Sequence, residues 1–151
     1  MKEIQLTRGM VAVVEKEDFD WLSIFSWCYS PVGYAQSRIN GKAEYMHRLI
    51  MGAKKGEFID HINLNKLDNR RSNLRFCTRQ QNQHNQAARR GTSRYKGVSY
   101  RRDTRKYSAQ IHVNRKKINL GCFESEEDAA RAYNKAALKY HGIFAYLNEV
   151  S

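Results

Sequence analysis

The sequence predicts an α+β fold, and three observations carry that prediction. Apolar and polar residues alternate with period two in "KYSAQIHV" and again in "KINLGCF", the mark of strands with one wet face. Ser125, followed three residues later by Asp128, forms a capping box that opens a helix. Between Phe58 and Arg90 an irregular, Asn-rich stretch separates short strand-like runs from a run of helix formers.

Taken in chain order, "MVAVV" is a brief apolar strand. "EKEDFDWLSIF" then puts acids in a first helical turn ahead of Phe19, Leu22 and Phe25, spaced three apart. "GYAQSRI" and "KAEYMHR" flank Asn40-Gly41, the pair best suited to the left-handed conformations of a two-residue hairpin turn. Residues 1–43 are therefore expected to form an accessory, β-rich segment.

From Phe58 the order reads strand or turn, long loop, strand, helix. "NLRFC" supplies the second strand, Thr78 is a helix cap, and "RQQNQHNQAARR" continues the helix as far as Gly91. Residues 44–91 make the second segment.

In residues 92–151, "RYKGVSYR", "KYSAQIHV" and "KINLGCF" predict three antiparallel strands joined by turns at "RDTR" and "NR". Alternation places Tyr107, Ala109, Ile111 and Val113 on one face, with Ile118, Leu120 and Cys122 beside them. Gln110, His112, Lys117 and Asn119 fall on the other. Ala129, Ala130, Tyr133, Ala136, Ala137 and Tyr140 give the following helix a stripe of mostly small residues that lies close on a sheet, and Gly142 ends it.

Composition narrows the partners. Lys and Arg number 27 against 15 acids, a net charge of +12, beyond what solubility requires, so a polyanion is the expected partner. The excess is uneven: −1 over residues 1–45, +7 over 46–90 and +6 over 91–151. No apolar run is long enough for a membrane span or a signal core, so a cytoplasmic, nucleoid-associated protein is expected. Cys28, Cys77 and Cys122 form no Cys-x-x-Cys pair and are expected to be small buried apolar groups rather than disulfide or zinc ligands.

The middle segment carries candidate chemistry. Hydrolysis of a phosphodiester needs a proton acceptor for water and a cation to neutralise the phosphate and the leaving oxygen. His61 has an imidazole suited to the first task. Asp60 with an Asn amide offers oxygen ligands of the kind Mg2+ accepts while keeping several waters. Neighbours on a straight strand point to opposite faces, so Asp60 and His61 are expected to need a bend in the chain to serve one phosphate. A hydrogen-bonded structural histidine is an equally simple reading of His61, and turn formation an equally simple one of a lone Asp or Asn.

The stretch "YMHRLIMG...FIDHINLNKLDNRRSNLRFCTRQQNQHN" resembles the H-N-H endonuclease family, in its phage and intron-borne homing branch, through the pattern "DHI...NN...NL...T..QN..N". The resemblance implies a ββα-metal nuclease core and a Mg2+- or Mn2+-dependent, site-selective enzyme that hydrolyses double-stranded DNA, nicking one strand per active site, as a monomer rather than a dimer, without a small-molecule substrate, in a phage-infected host cell. It assigns Asp60 and Asn82, 22 residues apart, to the metal, His61 to the general base, and Asn73 to steadying the loop. Asn69, Arg70 and Arg71 stand where backbone or phosphate contacts are made, and His47 matches a family position of unassigned role.

Residues 94–148, through "YKGVSYR", "KYSAQI", "KINLGCF", "SEEDAARAYNKAALKYHG" and "AYLN", resemble the APETALA/ethylene-response-factor DNA-binding domain. That resemblance implies a three-stranded antiparallel sheet, packed on one helix, that enters the major groove and contacts DNA through Lys96, Ser99, Arg101, Gln110, His112, Lys117 and Asn119. Ser99, His112 and Asn119 replace the Arg, Arg and Trp typical of the plant domains, so their target sequence does not transfer. A noncatalytic DNA-binding transcriptional regulator on a relic H-N-H fold is the competing class. A nuclease acting on RNA or branched DNA is a third, because charge reads phosphate rather than sugar.

Overall fold

The chain begins with a hairpin: β1 (Lys2–Gln5) lies antiparallel to β2 (Val11–Val14), with Ile4 opposite Ala12. Ile4, Ala12 and Val14 face inward. The computed structural model describes residues 1–88 and 91–151 and divides into two units, Met1–Asn82 and Gln83–Ser151. No helix among the described residues is long and apolar enough to cross a membrane.

In the first unit, α1 (Lys16–Leu22) carries Glu17 and Asp18 in its first turn. The spacing that extends to Phe25 in sequence ends as helix at Leu22, because the Ser23 hydroxyl donates to Phe19 O at 2.6 Å and the indole of Trp27 donates to Leu22 O at 2.9 Å. These bonds satisfy carbonyls that a helix end leaves open. A three-stranded antiparallel sheet follows, β3 (Cys28–Tyr29), β4 (Ala35–Ile39) and β5 (Lys42–Tyr45), with β4 central. Asn40 and Gly41 turn between the last two with φ of 51° and 79°. The strand expected through Arg48 stops at Tyr45; α2 (Met46–Met51) begins at once and ends on Gly52 at φ 60°. This puts His47 on a helix.

Strand β6 (Phe58–His61) pairs antiparallel with β7 (Leu74–Cys77), and α3 (Arg79–His84) comes next in the chain. Leu22, Trp27, Ala35, Met46, Ile50, Ile59 and Leu74 belong to one apolar cluster. Residues of the expected accessory segment therefore share a core with those of the middle segment. Leu22 and Met46 are completely buried, each worth about 1.5–3 kcal/mol in apolar area removed from water.

Thr78 and Gln81 cap α3 reciprocally: Gln81 N donates to Thr78 Oγ1 at 3.1 Å and Thr78 N to Gln81 Oε1 at 2.8 Å. The helix is shorter than the sequence predicts, ending at His84, with residues 85–88 non-helical. The last two residues of the expected helix, Arg89 and Arg90, lie outside the described residues.

In the second unit, β8 (Val98–Arg101), β9 (Lys106–Val113) and β10 (Lys116–Phe123) form an antiparallel sheet with β9 central. Asn114 and Arg115 make the β9–β10 turn with φ of 49° and 64°. Helix α4 (Glu126–His141) starts where Ser125 Oγ accepts from Asp128 N at 3.0 Å and ends at Gly142. Its buried face is Ala129, Ala130, Tyr133, Ala136 and Ala137, packed with Val98, Ala109 and Ile111 in two clusters. Such small side chains bring helix and sheet close, and Gly97 shows how close. A Cβ there, at φ 76°, would lie 2.1 Å from Tyr133 Cδ2 and 2.6 Å from Gln110 O. Asn148 fastens the tail by bonding both backbone groups of Lys96 through its side chain, while its own backbone pairs with the Asn134 amide.

The cysteines depart from expectation. Cys28 and Cys77 are half-buried and Cys122 is exposed. For Cys122 the cause is a bulge between Asn119 and Gly121: Asn119 opposes Gln110 but Gly121 opposes Ala109, so Leu120 is the extra residue. Beyond it the alternation is inverted, turning Cys122 outward and Phe123 inward.

Candidate active site

The site is built on the β6–β7 ribbon and the loop between them. That loop holds its shape through its own Asn side chains. Asn63 Oδ1 accepts from Asn65 N, Asn65 Oδ1 accepts from Leu67 N, and Asn63 Nδ2 donates to Asp68 Oδ2 at 2.8 Å. Each short amide thereby imitates a backbone turn. Asn73, in the 3-10 turn before β7, closes the loop from beneath: its Oδ1 accepts from Asn63 N at 3.0 Å, and its Nδ2 donates to Asn63 Oδ1 at 2.9 Å and Asp68 O at 2.8 Å. The loop also pairs with β2, Val13 N donating to Leu67 O and Asn69 N to Val13 O.

Asp60 and His61 lie at the end of β6, both buried. Asp60 is opposite Arg75 and His61 opposite Leu74, so they leave the ribbon on opposite faces. The bend expected between them comes one step later: the strand stays paired through His61, and the turn follows, with Leu64 N donating to His61 O and Leu64 at φ 65°.

His61 Nε2 lies 3.1 Å from Asn69 Oδ1. Asn69 is fully buried, and its Nδ2 donates to Leu67 O, which assigns the oxygen to the ring. Nε2 then carries the proton of the neutral imidazole, and Nδ1 is the basic nitrogen. Burial lowers the pKa of His61, opposed by the Asn69 hydrogen bond and by Asp60 and Asp68. The ring is thus neutral at neutral pH, the state a proton acceptor requires.

Around it stand the ring of His47, which the sequence marked without a role, and those of Tyr34 and Tyr45, which it did not mark. Tyr34 is 5.8 Å from the His61 ring and 4.9 Å from that of His47; His47 meets His61 edge-on at 5.1 Å and stacks with Tyr45 at 5.7 Å. Burial, then the neighbouring His61 and Arg48, hold the His47 pKa down to about 3. Its Nδ1 is buried without a hydrogen-bond partner among the described residues. Burial, then Tyr45 and Asp60, push the Tyr34 phenol up.

The Asp60 carboxylate accepts from Arg75 Nε at 2.9 Å and from an Arg75 terminal nitrogen at 2.6 Å. Asn82 sits in α3, half-buried, its backbone N–H bonded to Thr78 O at 3.0 Å. Among the described residues, no three His, Cys, Asp or Glu side chains converge as a metal cage. The donors that sequence resemblance assigns to a cation, a carboxylate and an amide oxygen, are hard ligands. So sparse an oxygen set suits Mg2+ or Mn2+, whose shell water and phosphate oxygens complete, rather than Zn2+.

The expected DNA contacts divide into two kinds. Arg70 is bidentate on Asp68, whose carboxyl it holds below the ordinary range, and Arg71 is bidentate on buried Asp18 of α1. Lys96 Nζ donates to His84 O and Gln86 O. These three cations are engaged within the protein. By register, Ser99, Arg101, Gln110, His112, Lys117 and Asn119 share the sheet face opposite α4. There Arg101 pairs with Asp103 at 2.7 Å, both well exposed.

The sequence profile of a family described as HNH endonuclease matches residues 44–84. An uncharacterized HNH endonuclease of Acanthamoeba polyphaga mimivirus is 32% identical over 148 residues, covering 95% of this chain and 77% of that one. An AP2/ERF and B3 domain-containing protein of Oryza sativa subsp. japonica is 47% identical over 62 residues, covering 41% of this chain and 17% of that one. The AP2-like ethylene-responsive transcription factor TOE2 of Arabidopsis thaliana is 39% identical over 59 residues, 39% of this chain and 12% of that one. The chain thus spans under a fifth of these plant relatives. No solved structure matches it.

Proposed function

The chain belongs to the HNH endonuclease family, and from that premise we propose a site-selective, divalent-metal-dependent DNA endonuclease of the homing type that nicks one strand per active site. The observation that carries this reading is His61, held neutral with its Nε2 proton on Asn69 and within the electrostatic reach of Asp60, the residue before it on β6.

In this mechanism His61 Nδ1 takes the proton of the attacking water, and Asn69 fixes the tautomer that leaves Nδ1 basic. Asn73 acts through the loop by holding Asn63 and Asp68, and with them the approach to Asn69. Asp60 and Asn82 are the residues that would hold Mg2+ or Mn2+; the cation, when bound, supplies charge neutralisation at the phosphate and the leaving oxygen. The outer sheet face of the second unit, Ser99, Arg101, Gln110, His112, Lys117 and Asn119, provides DNA affinity and choice of site. Similarity over 59 and 62 residues to plant AP2-type proteins, one of them named a transcription factor, supports this assignment and also supports the rival, a noncatalytic DNA-binding regulator.

The two part company on His61→Ala. For the endonuclease, wild type with Mg2+ relaxes supercoiled plasmid or phage DNA, while the variant binds the same DNA but cuts it at least roughly 100-fold more slowly. Folded, DNA-binding wild type that leaves every duplex intact would establish the regulator instead.

A further inference from the structure

Arg75 matches none of the residues to which the family resemblance gives a role, yet it forms an ion pair with Asp60. The two are opposite each other on paired strands, and the guanidinium reaches the carboxylate at 2.6 and 2.9 Å. Both side chains are withdrawn from water, Asp60 at 4% and Arg75 at 15% exposure. A carboxylate so buried needs a counter-charge, and Arg75 is that counter-charge.

Resting on the reading of Asp60 as a metal ligand, we propose that Arg75 is a positioning residue that stands in for the cation on Asp60 before metal arrives and is displaced when it binds. The geometry sets up a competition. A divalent ion of the Mg2+ class sits about 2.1 Å from a ligand oxygen, and two guanidinium nitrogens already lie 2.6 and 2.9 Å from one oxygen of that carboxylate, Oδ2. Two cations at that spacing repel, so binding of one weakens the hold of the other. By linkage the effect is reciprocal: whatever factor metal takes from the Asp60–Arg75 pair, the pair takes from metal affinity. Arg75 thereby keeps the metal-free fold intact, at the expense of metal affinity.

Mn2+ binding to DNA-free protein, followed by calorimetry and by electron paramagnetic resonance, tests this. Arg75→Ala is expected to bind Mn2+ roughly 5- to 150-fold more tightly than wild type. Arg75→Lys, which retains a cation, is expected to stay nearer wild type than the alanine variant. In wild type, where no folding defect enters, saturating Mg2+ is expected to shift the Arg75 Nε–H resonance and remove its protection from hydrogen exchange. Weaker or unchanged Mn2+ binding in a folded Arg75→Ala overturns the proposal, as does an Arg75 Nε–H signal indifferent to Mg2+. Asp60→Asn separates the two layers. If it abolishes Mn2+ binding while Arg75→Ala fails to tighten it, only the role of Arg75 is lost. If it leaves Mn2+ binding intact, Asp60 is no ligand and both readings go.

Discussion

Replacing Asn73 by Ala removes three hydrogen bonds, one accepted from Asn63 N and two donated to Asn63 Oδ1 and Asp68 O, from a side chain that is almost wholly buried. At about 1 kcal/mol net for each, the loss is about 3 kcal/mol, and it is greater if water fails to reach the orphaned Asp68 carbonyl. Asn73→Asp is expected to be worse than Ala at neutral pH. One oxygen can still accept from Asn63 N, but the other replaces an N–H that faces two acceptor oxygens at 2.9 and 2.8 Å. A carboxylate has no proton to give either of them.

Both tryptophans, Trp21 and Trp27, lie in the first unit, so their fluorescence in a urea titration reports on the unit that contains Asn73. A loss of about 3 kcal/mol moves the midpoint down by roughly 1–3 M, given ordinary urea slopes. Acidification below the usual carboxylate range is expected to bring Asn73→Asp back toward or above Ala, since a protonated carboxyl again donates. An alanine variant within about 0.5 kcal/mol of wild type, or an aspartate variant more stable than alanine at pH 7, would refute the claim that this amide clamps the loop.

Burial at His47 and close packing at Gly97 lead to two further outcomes. His47 is buried neutral with its pKa held to about 3, so below its ordinary value of 6.5 the unfolded chain binds a proton that the folded protein refuses, and the first unit loses stability as pH falls. Each such histidine contributes a slope of about 1.4 kcal/mol per pH unit between those limits; His47→Phe is expected to flatten the tryptophan-monitored stability between pH 6 and 5 by about that slope, and parallel curves would contradict it. Gly97→Ala forces a methyl to 2.1 Å from Tyr133 at a positive φ and is expected to cost the second unit about 3 kcal/mol, seen as faster hydrogen exchange at Gln110 N–H, which bonds Gly97 O; unchanged exchange would show that α4 can shift away.

What could be read from the sequence was what neighbours in the chain decide among themselves. The Ser125 cap, the Asn40-Gly41 turn and the alternation of Lys106–Val113 each depend on a few consecutive residues, and the structure has all three. What could not be read depends on partners distant in sequence. The bulge at Leu120 exists only relative to β9, so "KINLGCF" looks unbroken until its register is known. Arg71 and Asp18, which join the loop to α1, are 53 positions apart. Helix α2 overrides a strand-like run because Met46 and Ile50, four apart, enter the common core. At the candidate site, "DHIN" supplied the candidate residues, whereas Asn69 as the partner of His61 and Arg75 as that of Asp60 required the folded loop and ribbon.

The same distinction changes the meaning of the positive charge. Residues 46–90 carry +7 by composition, but Arg70, Arg71 and Arg75 are matched to Asp68, Asp18 and Asp60, three carboxylates at 2–5% exposure. Burial of the carboxylates makes those pairs hard to break, since withdrawing the arginine leaves a buried negative charge uncompensated. These arginines therefore add little to the attraction for phosphate that their number suggests. On the outer face of the second unit the pairing is of another kind: Arg101 and Asp103 are about half exposed or more, an ion pair so weak in water that a phosphate can replace the carboxylate. On the proposed function, the charge offered to DNA is thus the loosely paired charge of the outer sheet face, and the tightly paired charge shapes the loop of the candidate site.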